Sequence, residues 1–157
     1  QDRVTRDLYG LQEPCNETSE FIQSKLDDLD SQLGLLSENV TKYYTRAIDI
    51  EKQQQANGET KYITSQKFRL MFLRAEEYDA SKAAKRLSSF FLEKYFLFGE
   101  DKLAFKIKQE DLNKTDIKTL KSGFYCFSGT TDLAGRPIVV IRRHEALRHN
   151  LTSMKRA

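Results

Sequence analysis

Two helices with a shared apolar core are predicted by residues 68–87, which read FRLMFLRAEEYDASKAAKRL. Apolar side chains are so dense between residues 64 and 78 that this first helix should be buried over most of its circumference. Asp79 predicts the N-cap of the second helix, because its carboxylate can accept hydrogen bonds from the first free amide groups. Gly99 predicts the end of that helix. Its apolar side comprises Ala83, Ala84, Leu87, Phe90, Phe91 and Tyr95, and its charged side comprises Lys82, Lys85, Arg86, Glu93 and Lys94.

Two further amphipathic helices are predicted upstream, within residues 17–57. The first has apolar residues at helical spacing and ends at Gly34, and Asn16, Thr18 or Ser19 is available as its cap. The second begins at residues 37–40 and ends before Asn57-Gly58. The simplest interpretation is a helical hairpin that packs on the rest of the fold. A coiled-coil dimerisation arm is the alternative, although the chain has few clean heptads here.

The pattern changes period after residue 107. A short helix is predicted to begin at Asp111 or at Thr115-Asp116 and to end at Gly123. Residues 124–127 (FYCF) and 137–141 (PIVVI) then predict two strands joined by a connection of roughly eight residues, 128–135. The aromatic strand should be buried, since no Lys or Arg alternates with its rings. The predicted fold class is mainly α: a helical bundle followed by a β-hairpin that begins an α/β domain.

Positive charge is concentrated at the end of the chain. Residues 142–157 carry five Lys or Arg against one Glu, which leaves a net −1 on the remainder because the total is +3. This total is too small to indicate nucleic-acid binding, and no apolar stretch is long enough to span a bilayer. The tail can be interpreted as a solvated chain end or as a peripheral contact with an anionic membrane surface. The candidate membrane-surface residues are Arg142, Arg143, Arg148, Lys155 and Arg156.

Catalytic and cofactor motifs are missing from the sequence. It has no glycine-rich phosphate loop, nucleophile elbow or zinc pattern, and His144 and His149 do not share a helix face as metal ligands. We therefore predict no enzyme, no metal and no cofactor. Cys15 and Cys126 are far apart and outside any metal or redox spacing, which favours a reduced, cytoplasmic chain without a disulfide framework. Glycosylation sequons at Asn16, Asn39, Asn113 and Asn150 leave a secretory compartment open.

A family resemblance rests on two segments in register. The stretch at 68–87 resembles the helical N-terminal domain of CRAL-TRIO proteins, in which a helix ending in Leu-Arg-Ala precedes an aromatic residue, Asp and an Ala-rich helix. Residues 123–127 (GFYCF) and 132–141 (DLAGRPIVVI) resemble the first strand, the Asp-x-x-Gly-Arg-Pro turn and the next strand of the lipid-binding domain. On physical grounds Leu73 and Ala75 should pack, Arg74 should bond to nearby carbonyl groups, and Gly135 should permit the tight turn.

Four segments are expected. The residue pattern predicts a flexible arm at 1–16 and a helical hairpin of unassigned role at 17–57, and residues 1–60 have no counterpart in the family. The resemblance implies a CRAL-TRIO N-terminal-like helical domain at 60–122 and the truncated start of the lipid-binding domain at 123–157. It implies a non-catalytic protein, a fragment or degenerate member of the family, that binds or shuttles a hydrophobic ligand such as a phospholipid. Most of the family's pocket would follow residue 143, so the ligand-binding residues are not identified.

A second class of function stays open from the same residues. The helices of 17–57 and the hairpin edge could recruit a protein partner, which would make the chain a helical interaction or scaffold module without ligand binding.

Overall fold

A computed structural model describes residues 15–55, 61–123, 125–132 and 137–142. The helices are α1 (Ser19–Leu35), α2 (Glu38–Gln55), α3 (Gln66–Ala75), α4 (Ala80–Phe98) and α5 (Lys114–Lys121), with short 3₁₀ turns at Glu100–Lys102 and Gln109–Asp111. The strands are β1 (Tyr125–Thr131) and β2 (Pro137–Ile141). The predicted class, mainly α with a β-hairpin after the helices, is confirmed. The predicted arm at 1–16 lies outside the described residues except for Cys15 and Asn16, and the stop at Asn57-Gly58 lies outside them as well.

The chain divides into two compact units. Residues 17–107 hold α1 to α4, and the other unit holds α5 and the hairpin within residues 108–142. The first unit contains the predicted hairpin of 17–57 together with α3 and α4 of the predicted segment 60–122. The physical reason is a shared core, since α1, α2 and α3 all pack against α4.

Helix α4 lies at the centre of this core. Its positions Ala83, Ala84, Leu87 and Phe91 are fully buried, so small residues admit the neighbouring helices closely and Phe91 fills the space between them. The other buried side chains include Leu26, Leu29 and Leu33 of α1, Tyr44 and Ala47 of α2, and Phe68, Leu70, Phe72 and Leu73 of α3.

Helix α3 is less buried than its composition predicts. Leu73 is fully buried as expected, but Met71 is 57% exposed and Ala75 is also exposed, so the expectation that Ala75 packs is wrong. The helix touches α1 and α4, which cover only part of its circumference. Phe68 instead makes the dense contacts, with its ring centroid 5.2 Å from that of Phe72 and 6.1 Å from that of Phe91.

Helix ends follow side-chain capping. Asp79 accepts from the amide of Lys82 at 3.0 Å and Gly99 ends α4 with φ +80°, both as predicted. The predicted start of α5 was wrong. Asn113 is the N-cap, accepting from the Asp116 amide at 2.9 Å while Asp116 accepts from the Asn113 amide at 3.1 Å. This reciprocal pair satisfies two amide donors at once, which neither predicted start would do.

The hairpin is antiparallel, with Cys126 opposite Val140 and Phe127 opposite Val139, and its register shifts between Phe127 and Thr131. Its connection is residues 132–136, shorter than predicted because residues 128–131 belong to β1. The predicted burial of the aromatic strand is wrong at Phe127, which is 77% exposed. Phe124 and Gly135 lie outside the described residues.

Leu73→Ala should lower the free energy of unfolding by about 2–5 kcal/mol, because it leaves a cavity in the core around α4. Met71→Ala, two positions earlier on the exposed side of α3, should change it by less than about 0.5 kcal/mol. Urea denaturation of the two variants measures both values. Equal losses would contradict this assignment of the buried side of α3.

Candidate functional site

Glu51 of α2 is a buried carboxylate, with 2% of the residue exposed. Its oxygens accept from the amides of Tyr62 and Ile63 at 2.5 Å, from the amide of Thr64 at 3.0 Å and from the Thr64 hydroxyl at 2.7 Å. Burial raises the pKa of Glu51, but these hydrogen bonds outweigh it and the net pKa is lowered. The charge therefore orders residues 62–64, immediately before Ser65, the N-cap of α3. No feature of the sequence pattern predicted this role, since Glu51 opens a polar run.

Lys94 of α4 is the second buried charge, and its predicted place on the charged side of the helix is wrong. Only 4% of the residue is exposed. Its ammonium donates to the carbonyl oxygens of Leu103 at 2.9 Å and Phe105 at 2.5 Å. It also lies over the rings of Tyr62, Phe90 and Phe91, at 5.3–5.9 Å from their centroids. The Lys94 side chain thus places its ammonium group beside aromatic rings and fixes the segment that follows α4 by hydrogen bonds.

Arg74, the residue within the Leu-Arg-Ala segment, binds a carboxylate and not the carbonyl groups that were predicted. Its Nε and Nη2 donate to the two oxygens of Glu17 at 2.7 and 2.5 Å, and the Tyr78 hydroxyl is bonded to the same carboxylate. The hydrogen bond from Arg74, followed by that from Tyr78, lowers the pKa of Glu17 to about 2.

The turn between α3 and α4 directs Tyr78 toward the start of α1. Glu77 and Tyr78 have φ of +53° and +64°, a left-handed conformation that is uncommon for residues with side chains. The turn brings the Tyr78 ring edge-on to Phe21, with centroids 5.0 Å apart. Together with Glu17 and Arg74, these contacts fasten the start of α1 to the α3–α4 turn.

A groove of about 510 Å³ lies beside α2 and α4. Its lining includes Tyr43 stacked on Tyr95, with centroids 4.3 Å apart, and an Arg46–Glu100 ion pair at 2.5 Å. Phe96 contacts Tyr43 at 6.4 Å between centroids and is 68% exposed. The mixture of aromatic rings and charges of both signs suits polar and apolar side chains of a peptide better than the tail of a lipid.

The hairpin presents apolar side chains to solvent on both strands. Ile138, Val139, Val140 and Ile141 are 39–55% exposed. Arg142, which follows β2, is exposed, and it is the described member of the predicted membrane-surface set. Arg143, Arg148, Lys155 and Arg156 lie outside the described residues, as do His144 and His149.

The glycosylation sequons of the described residues all lie at helix starts. Thr18 caps α1 by accepting from the Phe21 amide at 3.2 Å, and Thr41 in the first turn of α2 donates to the Ser37 carbonyl at 3.3 Å. Asn113 caps α5. Thr18 and Asn113 are thus N-cap residues of favoured types, and Thr41 bonds to the carbonyl of the preceding turn. The sequon at Asn150 lies outside the described residues.

The described residues contain neither a clustered set of metal-ligand side chains nor a membrane-spanning helix. They contain no group of three or more His, Cys, Asp or Glu side chains placed to hold a metal ion. None of their helices combines the length and the apolar character needed to cross a bilayer.

Comparison of the chain with family models, curated proteins and solved structures gives no match in any of the three. The resemblance to CRAL-TRIO proteins therefore stays a prediction.

Glu51→Gln should lower the free energy of unfolding at pH 7 by about 2 kcal/mol, because an amide nitrogen would face backbone donors that now meet a carboxylate. Glu51 has a lowered pKa in the folded state, so its contribution is present above the ordinary value of 4.5 and is lost as the pH falls through the folded value. The difference between the two proteins in urea denaturation should therefore shrink at acid pH. Asp49→Asn, at a half-exposed neighbour on α2, is the control and should change little. A difference independent of pH would contradict the assignment.

Arg74→Met should raise the pKa of Glu17 from about 2 toward 4.5, because the variant removes the bidentate donor. Carboxyl-carbon NMR titration measures this value directly. Arg86→Met is the matched control, since Arg86 pairs with Glu76 and not with Glu17. An unchanged Glu17 titration in the Arg74 variant would show that this contact does not exist in solution.

Proposed function

We propose that this chain is a non-catalytic lipid-binding protein of the carrier type, similar to CRAL-TRIO proteins, which binds or shuttles a hydrophobic ligand such as a phospholipid. Its proposed location is the cytoplasm, in keeping with the free thiols of Cys15 and Cys126. No cofactor, metal or nucleic acid enters this proposal.

One observation carries the proposal: the order of elements that follows the Leu-Arg-Ala segment. A helix ending at Ala75 turns into the Asp79-capped α4, and an apolar antiparallel hairpin follows further along the chain. This is the order that the resemblance to CRAL-TRIO proteins implies. The buried charges of Glu51 and Lys94 hold connecting segments of the bundle by hydrogen bonds to the backbone, and they give the proposal no ligand-binding residue. Both are thereby engaged in folding.

The groove beside α2 and α4 favours a second candidate, a protein-interaction module. Its stacked tyrosines and the exposed Phe96 resemble the aromatic anchors of protein interfaces more than a lipid pocket. In this case the chain would bind a partner through the bundle and carry no lipid.

Transfer of a fluorescent phosphatidylcholine between neutral vesicles tests the carrier. The protein used should contain residues 1–157 together with any sequence that adjoins them in the gene. We expect a transfer rate proportional to protein concentration, and lipid released from the purified protein on denaturing mass spectrometry. A rate equal to that of vesicles alone, with no lipid released, would contradict the carrier and favour the interaction module.

A further inference from the structure

Charge is distributed unevenly within residues 108–142. The acidic side chains Asp111 and Asp116 are used internally, since each accepts the amide hydrogen of the residue three positions earlier, at 2.8 and 3.1 Å. Asp116 is fully buried. Its helix, α5, instead exposes Lys114, Lys118 and Lys121.

These three lysines form one stripe. Their spacing of four and three residues places them on the same side of α5, and helical geometry puts the buried Asp116 and Thr119 on the opposite side. Among the described residues of 108–142, the exposed acidic group is Glu110, and the exposed basic groups are Lys108, Lys114, Lys118, Lys121 and Arg142. Asp111 and Asp132 are half-buried. The described surface of residues 108–142 is therefore basic.

The two faces of the hairpin differ in their side chains and in the contacts that these side chains make. Strand alternation places Cys126, Val140 and Arg142 on one face. There the Cys126 thiol donates to the Gly123 carbonyl at 3.1 Å, and a Cβ added at Gly123 would lie 3.6 Å from Arg142 Nη1. The second face carries Phe127, Val139 and Ile141, which are 77%, 46% and 55% exposed, whereas Ile138 and Val140 of the first face are 39% and 46% exposed. This second set is named the open face.

We propose that residues 108–142 dock on an anionic lipid bilayer, with the open face entering the headgroup region and the α5 lysines attracted to the surface charge. An exposed phenylalanine flanked by β-branched side chains supplies the apolar contact, and basic residues supply attraction that acts over about one Debye length. The occupant is a membrane because the apolar face and the basic charge occur in the same compact unit. The inference rests on the proposed carrier function, since a lipid carrier must meet a membrane to load or release its ligand.

Co-sedimentation tests the proposal with two kinds of vesicle, phosphatidylcholine alone and phosphatidylcholine mixed with phosphatidylserine. We expect binding to the mixed vesicles and weaker binding when the salt concentration is raised. Replacing Lys114, Lys118 and Lys121 together by Gln should weaken binding about 100-fold, since each lysine near an anionic surface contributes about fivefold. Phe127→Thr should weaken it about tenfold while keeping a residue that favours strands.

Each variant has a control in the bundle. Phe96→Thr removes an equally exposed phenylalanine, and the joint replacement of the exposed Lys61, Lys67 and Lys85 by Gln removes equal charge. Neither control should change binding by more than about twofold. Circular dichroism of all variants checks that they fold. Equal binding to both vesicle types, or equal losses in variant and control, would overturn the proposal.

The carrier and the docking surface fail in different ways. If transfer between neutral vesicles persists while binding to anionic vesicles is absent, the docking surface is wrong and the carrier stands. If binding to anionic vesicles depends on Phe127 and the α5 lysines but no lipid is transferred or released, the carrier is wrong. The site is then a membrane-binding surface of another kind of protein.

Discussion

Burial of α4 is the constraint on which the helical unit depends. Ala83 and Ala84 are small enough to let other helices approach, and Leu87 and Phe91 then fill the interior. Because α1, α2 and α3 each bury their apolar positions against this one helix, none of them has an independent core. The upstream helical hairpin, α1 and α2, therefore packs on the rest of the fold, as its simplest interpretation predicted.

Two buried charges form hydrogen bonds to backbone groups that apolar packing leaves without partners. Connecting segments have backbone groups that no helix satisfies, and such groups are costly when they are buried. Glu51 accepts from three consecutive amides before α3, and Lys94 donates to two carbonyl oxygens after α4. The carboxylate is negative and accepts from amide N–H groups, and the ammonium is positive and donates to carbonyl oxygens. Each charge therefore meets backbone atoms of opposite partial charge. These residues act on the fold, which is why we assign neither of them a role in binding.

The two compact units differ in which apolar and charged side chains they leave exposed to solvent. In residues 17–107 the long apolar stripes are mostly covered, although Leu35, Met71 and Phe96 stay exposed. In residues 108–142 Asp111 and Asp116 turn inward to cap helices, while lysines and apolar strand residues face outward. This combination of exposed apolar and basic groups is the physical basis for proposing that the smaller unit contacts a lipid surface.

The sequence by itself determined the local structure. Periodicity predicted the helices, Asp79 and Gly99 predicted the bounds of α4, and a β-branched run predicted β2, because these signals act between near neighbours. Only the tertiary structure decided the rest. Whether Lys94 and Glu51 are buried, whether Phe127 is exposed, and which carboxylate Arg74 binds all depend on groups distant in the chain, and Glu17 is 57 residues away from Arg74. A one-dimensional pattern contains each residue's chemistry but not the neighbour that folding brings to it.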